Sequence, residues 1–482
     1  MSTELRECCT SSSDIGNGKD YDLAVIGAGS AGFSAAITAA DQGARVALIG
    51  YGTIGGTCVN VGCLPSKTLI RATETLHQAH AAQRFAGIHV QASVASWPAV
   101  VAQKDALVSE LRQAKYLDLL AAYDSVRYLE GPARLTPEGV AVNGDLINAG
   151  KIIVTTGSLP SVPPIPGLET VPYLTSTTAM ALERLSESLL VIGAGYVGCE
   201  LAQMFARAGV KVTLLCRRRL LPEAEPEISE ALTGFFRDEG IEVVGGVAYQ
   251  AVRATSNGVA ATFTRNGKVQ TLEAHHLLNA TGRRANTEGL GLEEADVELD
   301  TNGSIRVDGH LRTTNRRIYA AGDVTGSHQF VYMAAYGAKI AAENALNGDT
   351  KVYDASAMPS VVFTDPQVAR VGWTEAEARA EGRDVQTSIL PLSAVPRALA
   401  ARDTRGLIKL VADRETGRLL GAHILAPEGS DSIQTAVLAI KHGLTVTELA
   451  DTLFPYLTTV EGLKLAAQTF SKDVSKLSCC AG

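Results

Sequence analysis

The strongest constraint on this chain is an internal repeat. Tyr21 to Gly50 reads YDLAVIGAGSAGFSAAITAADQGARVALIG, and Leu189 to Cys216 reads LLVIGAGYVGCELAQMFARAGVKVTLLC, with Gly193 falling 166 positions after Gly27. Each copy is an apolar run, a GxGxxG turn, a helical stretch and a second apolar run about 20 residues on, the order strand, glycine turn, helix, strand. Gly27 and Gly193 make the turn, Gly29 and Gly195 let a pyrophosphate approach the backbone, and Gly32 and Gly198 let the helix pack on its strand. Val197 belongs to the same second turn. The helix N-terminus beyond each turn offers free N–H groups and the positive end of its dipole to a phosphate. The expectation is an α/β chain with two Rossmann-like dinucleotide-binding domains and two bound dinucleotides.

Length allows one more domain, since 482 residues at ~150 per domain suggest about three. With 43 Lys+Arg against 51 Asp+Glu the net charge is -8. That balance argues against nucleic acid or an anionic membrane as a partner. Leu23 to Ala40 carries no charged residue, but Gly27, Gly29, Gly32, Ser30, Ser34 and Thr38 interrupt it. It reads as a buried strand turning into a helix, so no membrane insertion is expected. Residues 1–19 include Glu4, Arg6, Glu7, Asp14 and Lys19 and no apolar core. They are expected to be a flexible tail, neither signal nor anchor, which points to a cytoplasmic protein.

The end of the second strand decides which ribose is read, because an acidic side chain there accepts from ribose hydroxyls while arginines favour a 2′-phosphate. In the second copy this place holds Cys216 followed by Arg217, Arg218 and Arg219, with no carboxylate. NADPH is therefore expected over NADH, the other reading of the arginines being an exposed basic turn. In the first copy the place is Gly50, which has no side chain to bind a ribose.

Eight cysteines stand at 8, 9, 58, 63, 199, 216, 479 and 480. Close pairs in a long chain point to redox or metal chemistry more than to structural bridges. Cys199 and Cys216 lie in apolar runs and are read as small core residues. Five residues of regular helix rise ~7.5 Å, whereas bridged cysteines need Cα atoms within ~7 Å, so a bridge between Cys58 and Cys63 requires a distorted turn. Strained or exposed bridges are the reducible ones.

The segment Gly55 to Lys67, GGTCVNVGCLPSK, resembles the redox-active disulfide of the flavin-dependent pyridine nucleotide disulfide oxidoreductases. The resemblance runs from Tyr21 to the C-terminus and includes Thr155-Thr156-Gly157, Ala280-Thr281-Gly282-Arg283, Ala320-Ala321-Gly322-Asp323 and Phe363-Thr364-Asp365-Pro366. It implies that FAD occupies the first fold, with Asp323 on the ribityl chain and further contacts at Gly52, Thr57, Ala133, Thr156, Gly157 and Val331. It implies that Lys67 lies beside the flavin and pairs with Glu200. By the same resemblance Cys63 is the thiolate against the flavin and Cys58 meets the substrate, a helix N-terminus and a neighbouring lysine favouring thiolate. The implied architecture is a discontinuous FAD domain over 20–160 and 285–352, an NADP domain over 161–284 and a C-terminal α+β dimerisation domain over 353–482.

Family members that reduce disulfides carry a stretch resembling HPTxSE, whose histidine and glutamate protonate the leaving thiolate. Here the stretch is Phe454-Pro455-Tyr456-Leu457-Thr458-Thr459. Without a proton-donating dyad a disulfide substrate loses its general acid. The chain ends Ser478-Cys479-Cys480-Ala481-Gly482. Adjacent Cα atoms are ~3.8 Å apart, below the ~4.4 Å usual in a disulfide, so this pair is better kept as a dithiol that selects soft metal ions. These features, with Ala114-Lys115-Tyr116, resemble the branch of the family that reduces Hg(II) to Hg(0). The resemblance implies a homodimer in which Cys479 and Cys480 capture Hg(II) and pass it to Cys58 and Cys63 of the partner subunit, with Tyr116 and Tyr456 alongside. Tyr116 also shares a helical face with Val108, Leu111, Leu119 and Leu120, so packing is its alternative role. The N-terminal metal-binding domain of many such relatives is expected to be lacking. Cys8 and Cys9 are either a minimal substitute or incidental. Two rival functions stand beside this one: reduction of a small disulfide, and sequestration of thiophilic metal without catalysis.

Overall fold

The first apolar run does turn at its glycines instead of continuing as one long helix. In the computed structural model, which describes residues 20–477, strand β1 (Tyr21–Ile26) ends at Gly27 and helix α1 (Ser30–Ala40) follows. Among the described residues no helix is long and apolar enough to cross a membrane. Strand β2 (Val46–Gly50) returns beside β1, then come helices α2 (Gly56–Val61) and α3 (Cys63–Ala81), and later strand β3 (Val126–Glu130).

The chain forms two compact units, which among the described residues comprise 20–58, 111–159 and 284–353, and 59–110, 160–283 and 354–477. The first holds a five-stranded parallel sheet in the order Ile318–Ala320, Ala149–Val154, β1, β2, β3. Leu23, Ala24 and Val25 are wholly buried, as expected of a central parallel strand covered on both faces. Helix α1 packs on the helix Val331–Asn347, where Ser34 Oγ donates to the Ala335 carbonyl at 2.7 Å. Phe33, Leu48, Ile153, Tyr319 and Ala338 share the core between helices and sheet. A small antiparallel meander over Ala133–Leu135, Val140–Val142 and Asp145–Ile147 lies in the same unit.

The second unit repeats the parallel theme with four strands, Glu242–Gly245, Lys211–Cys216, Ser188–Ile192 and His276–Asn279 in that order. The helix Tyr196–Arg207 follows the second glycine turn and packs against α3. The unit also contains a five-stranded antiparallel sheet, Pro359–Val362, Gln367–Gly372, Leu419–Ala426, Leu407–Asp413 and Val385–Pro391, with helices Gly429–Lys441 and Glu461–Gln468 packed on it. The α/β class with two dinucleotide folds and an α+β terminal part is thus as the sequence predicts. Cys199 and Cys216 are buried in the second unit's core. Burial pushes the Cys216 thiol up to about 11 and raises that of Cys199 further, so both are inert.

The two glycine turns are alike at atomic level. A Cβ at Gly32 would come within 1.7 Å of the Gly27 carbonyl oxygen, and one at Gly198 within 2.0 Å of that of Gly193. Gly195 is different, since a Cβ there would meet nothing within 4 Å. Gly198→Ala should therefore cost about 2 kcal/mol or more through overpacking. Gly195→Ala should cost under about 1 kcal/mol, as a change at a helix N-cap. Denaturant unfolding of the two variants checks this, and equal stabilities would contradict it.

Candidate functional site

The first turn is a cradle made of backbone. Gly27 takes φ +116°, a conformation that side chains avoid, and a Cβ there would lie 2.3 Å from the Thr155 carbonyl oxygen. Thr155 N–H donates to the Ile26 carbonyl at 2.7 Å, and its hydroxyl donates to the carbonyls of Ile26 and Gly27 at 3.0 and 3.1 Å. The N-cap Gly29 supplies no side-chain hydrogen bond and the first turn of α1 has no acidic residue. The α1 N-terminus is thus uncapped by side chains and fits a pyrophosphate. Thr156 Oγ1 donates to the Asn286 carbonyl at 2.7 Å, and Gly157 beside it has φ +71°. Asp323 follows Gly322 at φ +78° and accepts from Ser158 Oγ at 2.7 Å, a partner that sequence reasoning missed. Gly52 lies in the exposed loop after β2 at φ +79°, Thr57 is exposed on α2, Ala133 starts a meander strand and Val331 opens its helix. These residues fit a flavin dinucleotide in the first unit.

Helix α2 is held against that turn by glycines on both sides. Gly55 N–H donates to the Ala28 carbonyl at 2.9 Å, and a Cβ at Gly56 would come within 2.6 Å of the Gly29 Cα. The close approach explains the paired glycines ahead of Thr57 and Cys58. Cys58 lies in α2, and Cys63 is the exposed first residue of the 19-residue α3. Gly62, at φ −124° and ψ −115°, breaks the helix between them, the kind of distortion that a bridge between the two would require. A thiol at the first position of α3 faces the positive end of the helix dipole, which favours thiolate.

One turn into α3, Lys67 Nζ donates to Glu200 Oε2 at 2.6 Å. The Glu200 side chain is 6% exposed and sits on the helix Tyr196–Arg207. Its other oxygen accepts the Phe363 N–H at 2.9 Å, and Lys67 Nζ lies 4.8 Å from the centre of the Phe363 ring. The structure therefore brings Lys67 and Glu200 together and adds Phe363, which the resemblance marks as a family segment without placing it beside this pair.

Tyr116 does not stand on a regular helix. Residues Gln113–Leu117 form a π-helical turn after the helix Trp97–Arg112, and such turns recur at functional sites. The Tyr116 hydroxyl lies 3.1 Å from Ser30 Oγ at the start of α1, and its ring meets Phe33 edge-on at 4.8 Å. It is thus both packed in the first unit and hydrogen-bonded beside the first turn. Tyr456 is 59% exposed, in a loop where Leu457 takes φ +60°. The buried Glu461 accepts from the Leu457 N–H at 3.2 Å and so tethers the residue after Tyr456. No sequence signal marks this carboxylate. His423 is buried with Nε2 on the Trp373 carbonyl at 2.9 Å, and burial lowers its pKa. His442 is exposed at a helix end. Cys8, Cys9, Cys479 and Cys480 lie outside the described residues.

The second turn mirrors the first, with Gly193 at φ +99° and its Cβ position 2.3 Å from the Ala280 carbonyl oxygen. Gly195 caps Tyr196–Arg207 without a side-chain bond, and Val197 is exposed in the first helical turn. The open space at Gly195 fits a second dinucleotide. Of the three arginines after Cys216, Arg219 donates to the Pro222 and Ala224 carbonyls at 3.3 and 2.7 Å and shapes its own turn. Arg217 is exposed, and Arg218 reaches Glu223 only at 3.7 Å with both side chains 72% exposed, a pairing that water screens.

Comparison with known proteins agrees with this geometry. The family model described as pyridine nucleotide-disulphide oxidoreductase matches residues 21–339, and the model of its dimerisation domain matches 358–467. The chain is 50% identical over 471 residues to a mercuric reductase of Streptomyces lividans, covering 96% of this chain and 98% of that protein. A mercuric reductase of Lysinibacillus sphaericus is 47% identical over 468 residues, covering 97% and 85% respectively. Among solved structures, the HOCl-induced flavoprotein disulfide reductase RclA from Escherichia coli superposes with a TM-score of 0.82 at 32% identity, over 94% of this chain and all of that one.

Proposed function

The chain belongs to the pyridine nucleotide-disulphide oxidoreductases, a homodimeric flavoprotein family, and from that premise we propose that it reduces Hg(II) to Hg(0) at the expense of NADPH. The observation that carries the reading is the pair of cysteines at the break between α2 and α3, together with a C-terminal Cys479-Cys480 pair and the Phe454 and Thr459 that stand in for a proton-donating dyad. The two mercuric reductases similar over nearly the whole chain support it.

FAD, when bound in the first fold, would take two electrons from the nicotinamide and make them available to the cysteines. The overall change is NADPH and Hg(II) giving NADP⁺, a proton and Hg(0), with two electrons moved. The residues of the chain bind, orient and hand over the ion. Soft thiolates are the ligands of choice for a soft cation. Cys479 and Cys480 would receive Hg(II) first. Cys58 and Cys63 of the partner subunit would then take it by successive attack, each attack forming one S–Hg bond and breaking one. Reduction releases Hg(0) and returns both thiolates. Lys67, held by Glu200, supplies positive charge one turn beyond Cys63. Tyr116, fixed on Ser30, and Tyr456, on the loop tethered by Glu461, would flank the ion's path. Gly193, Gly195, Val197 and Gly198 would hold the pyrophosphate of NADPH, and Arg217 and Arg218 its 2′-phosphate, with Arg219 keeping their turn in shape.

The two cysteine pairs separate in experiment. Cys63→Ala should abolish Hg(II) reduction with any mercury ligand and remove the long-wavelength thiolate-to-flavin absorbance. The Cys479→Ala/Cys480→Ala chain should keep that absorbance and reduce Hg(II) held by bromide, yet fail when Hg(II) is held by excess thiol. Activity in the Cys63→Ala chain, measured as mercury vapour released, would sink the proposal. The arginines give a second test. Arg217→Gln/Arg218→Gln should raise the KM for NADPH by about 10-fold or more, since charge-assisted bonds contribute ~1.5–3 kcal/mol each, with little change for NADH. Equal effects on the two nucleotides in steady-state assays would refute the assignment.

A further inference from the structure

The end of β2 is where a dinucleotide fold of this kind reads the adenosine ribose through an acidic side chain. Residue 50, at that end, is glycine. The structure shows what fills the place. A first side-chain carbon at Gly50 would lie 2.7 Å from the Tyr128 hydroxyl oxygen, 2.8 Å from the edge of its ring and 2.7 Å from the Ala28 Cβ. With Tyr128 in this place no side chain fits at 50, so glycine there is the counterpart of tyrosine at 128.

Tyr128 projects from β3, where it pairs in register with Leu48, and its hydroxyl reaches the place from which an acid at 50 would start. Ala28, the third wall of this corner, is the middle residue of the Gly27-Ala28-Gly29 turn, so the phenol stands beside the pyrophosphate cradle. The hydroxyls of Tyr319 and Tyr249 are spent on Asp349 and on the Leu215 carbonyl. That of Tyr128 makes no hydrogen bond among the described residues, although its ring is half-buried.

We propose that Tyr128 replaces the missing acid and that its hydroxyl binds the adenosine ribose hydroxyls of FAD. The proposal rests on the reading that FAD occupies the first fold. A phenol can donate to one ribose hydroxyl and accept from another, whereas a carboxylate only accepts. Burial, and the charge of Glu130 two residues on, hold the Tyr128 phenol above its ordinary range, so it keeps its proton. Glu130 is exposed and lies opposite Gly50 in the β2–β3 register, which makes it the residue to exclude.

The test measures the dissociation constant of FAD by dilution of the holoenzyme, following the flavin fluorescence that appears as FAD leaves. Tyr128→Phe keeps the ring and loses only the hydroxyl. It should raise the dissociation constant by about 3- to 10-fold, the range for one neutral hydrogen bond. With an FAD analogue that has 2′,3′-dideoxyadenosine, the parent and Tyr128→Phe should release the flavin equally. Glu130→Gln should change nothing beyond 2-fold. Three results would overturn the proposal: no effect of Tyr128→Phe, an equal loss for FAD and the analogue, or a loss confined to Glu130→Gln. Gly29→Val, which crowds the cradle, separates this from failure of the underlying reading. If it leaves FAD affinity intact, the first fold is not the FAD site and the ribose assignment goes with it. If it weakens FAD while Tyr128→Phe does not, only the assignment to Tyr128 falls.

Discussion

Each of the two dinucleotide folds is built around backbone pressed on backbone at a glycine turn. The carbonyls of Gly27 and Gly193 stand where any side chain on Gly32 or Gly198 would have to go, and the carbonyls of Thr155 and Ala280 close the other side of each turn. The same pressure continues into the redox segment, because Gly56 packs on Gly29 with no room for a Cβ. A helix N-terminus left uncapped by side chains, beside a turn closed by backbone carbonyls, has the features that suit a phosphate. The position of α2 follows from it, since Gly55 is hydrogen-bonded to Ala28 inside the turn.

Charge is spent sparingly and in fixed places. Glu200 is buried, and its two oxygens are committed to Lys67 and to the Phe363 N–H. Breaking such a pair leaves a buried charge unmatched, a loss of about 3–5 kcal/mol that is smaller where one partner, as here Lys67, is partly exposed. Elsewhere in the second unit Arg207 joins Glu239 at 2.7 Å and Asp365 at 3.0 Å, all three nearly buried. Lys409 is likewise buried among Glu225, Glu227 and Glu375. These clusters tie the four-stranded and five-stranded sheets of the second unit together, whereas Arg217 and Arg218 stay exposed at the surface.

The fold was legible in the sequence because its signals are local. Apolar runs, glycine spacing and the change of period from strand to helix lie within thirty residues of each other, and the repeat at 189–216 removes the ambiguity of a single GxGxxG. The cysteine motif and the Lys67–Glu200 pair were legible through family resemblance. What sequence reasoning missed has a common physical character. The π-helical turn at Gln113–Leu117 inserts one residue per turn without changing residue types, so Tyr116 reads as a regular helical position. Glu461 anchors the loop of Tyr456 by accepting a backbone N–H, a contact that leaves no sequence pattern. Arg219 looks like its two neighbours, but its Nη2 donates to two carbonyls of its own turn, a local contact that leaves no sequence pattern. Gly50 reads as a missing function, and only the approach of Tyr128 from another strand shows what occupies the space.

In the proposed chemistry electrons from a pyridine nucleotide end on a metal ion held by thiolates. The direct measurement is an anaerobic assay of the purified holoenzyme with Hg(II) in excess thiol, recording NADPH oxidised and elemental mercury evolved in the same vessel. One Hg(0) should appear for each NADPH, matching the transfer of two electrons, with no comparable NADPH oxidation when glutathione disulfide replaces Hg(II). NADPH oxidation with glutathione disulfide and no release of Hg(0) would contradict it.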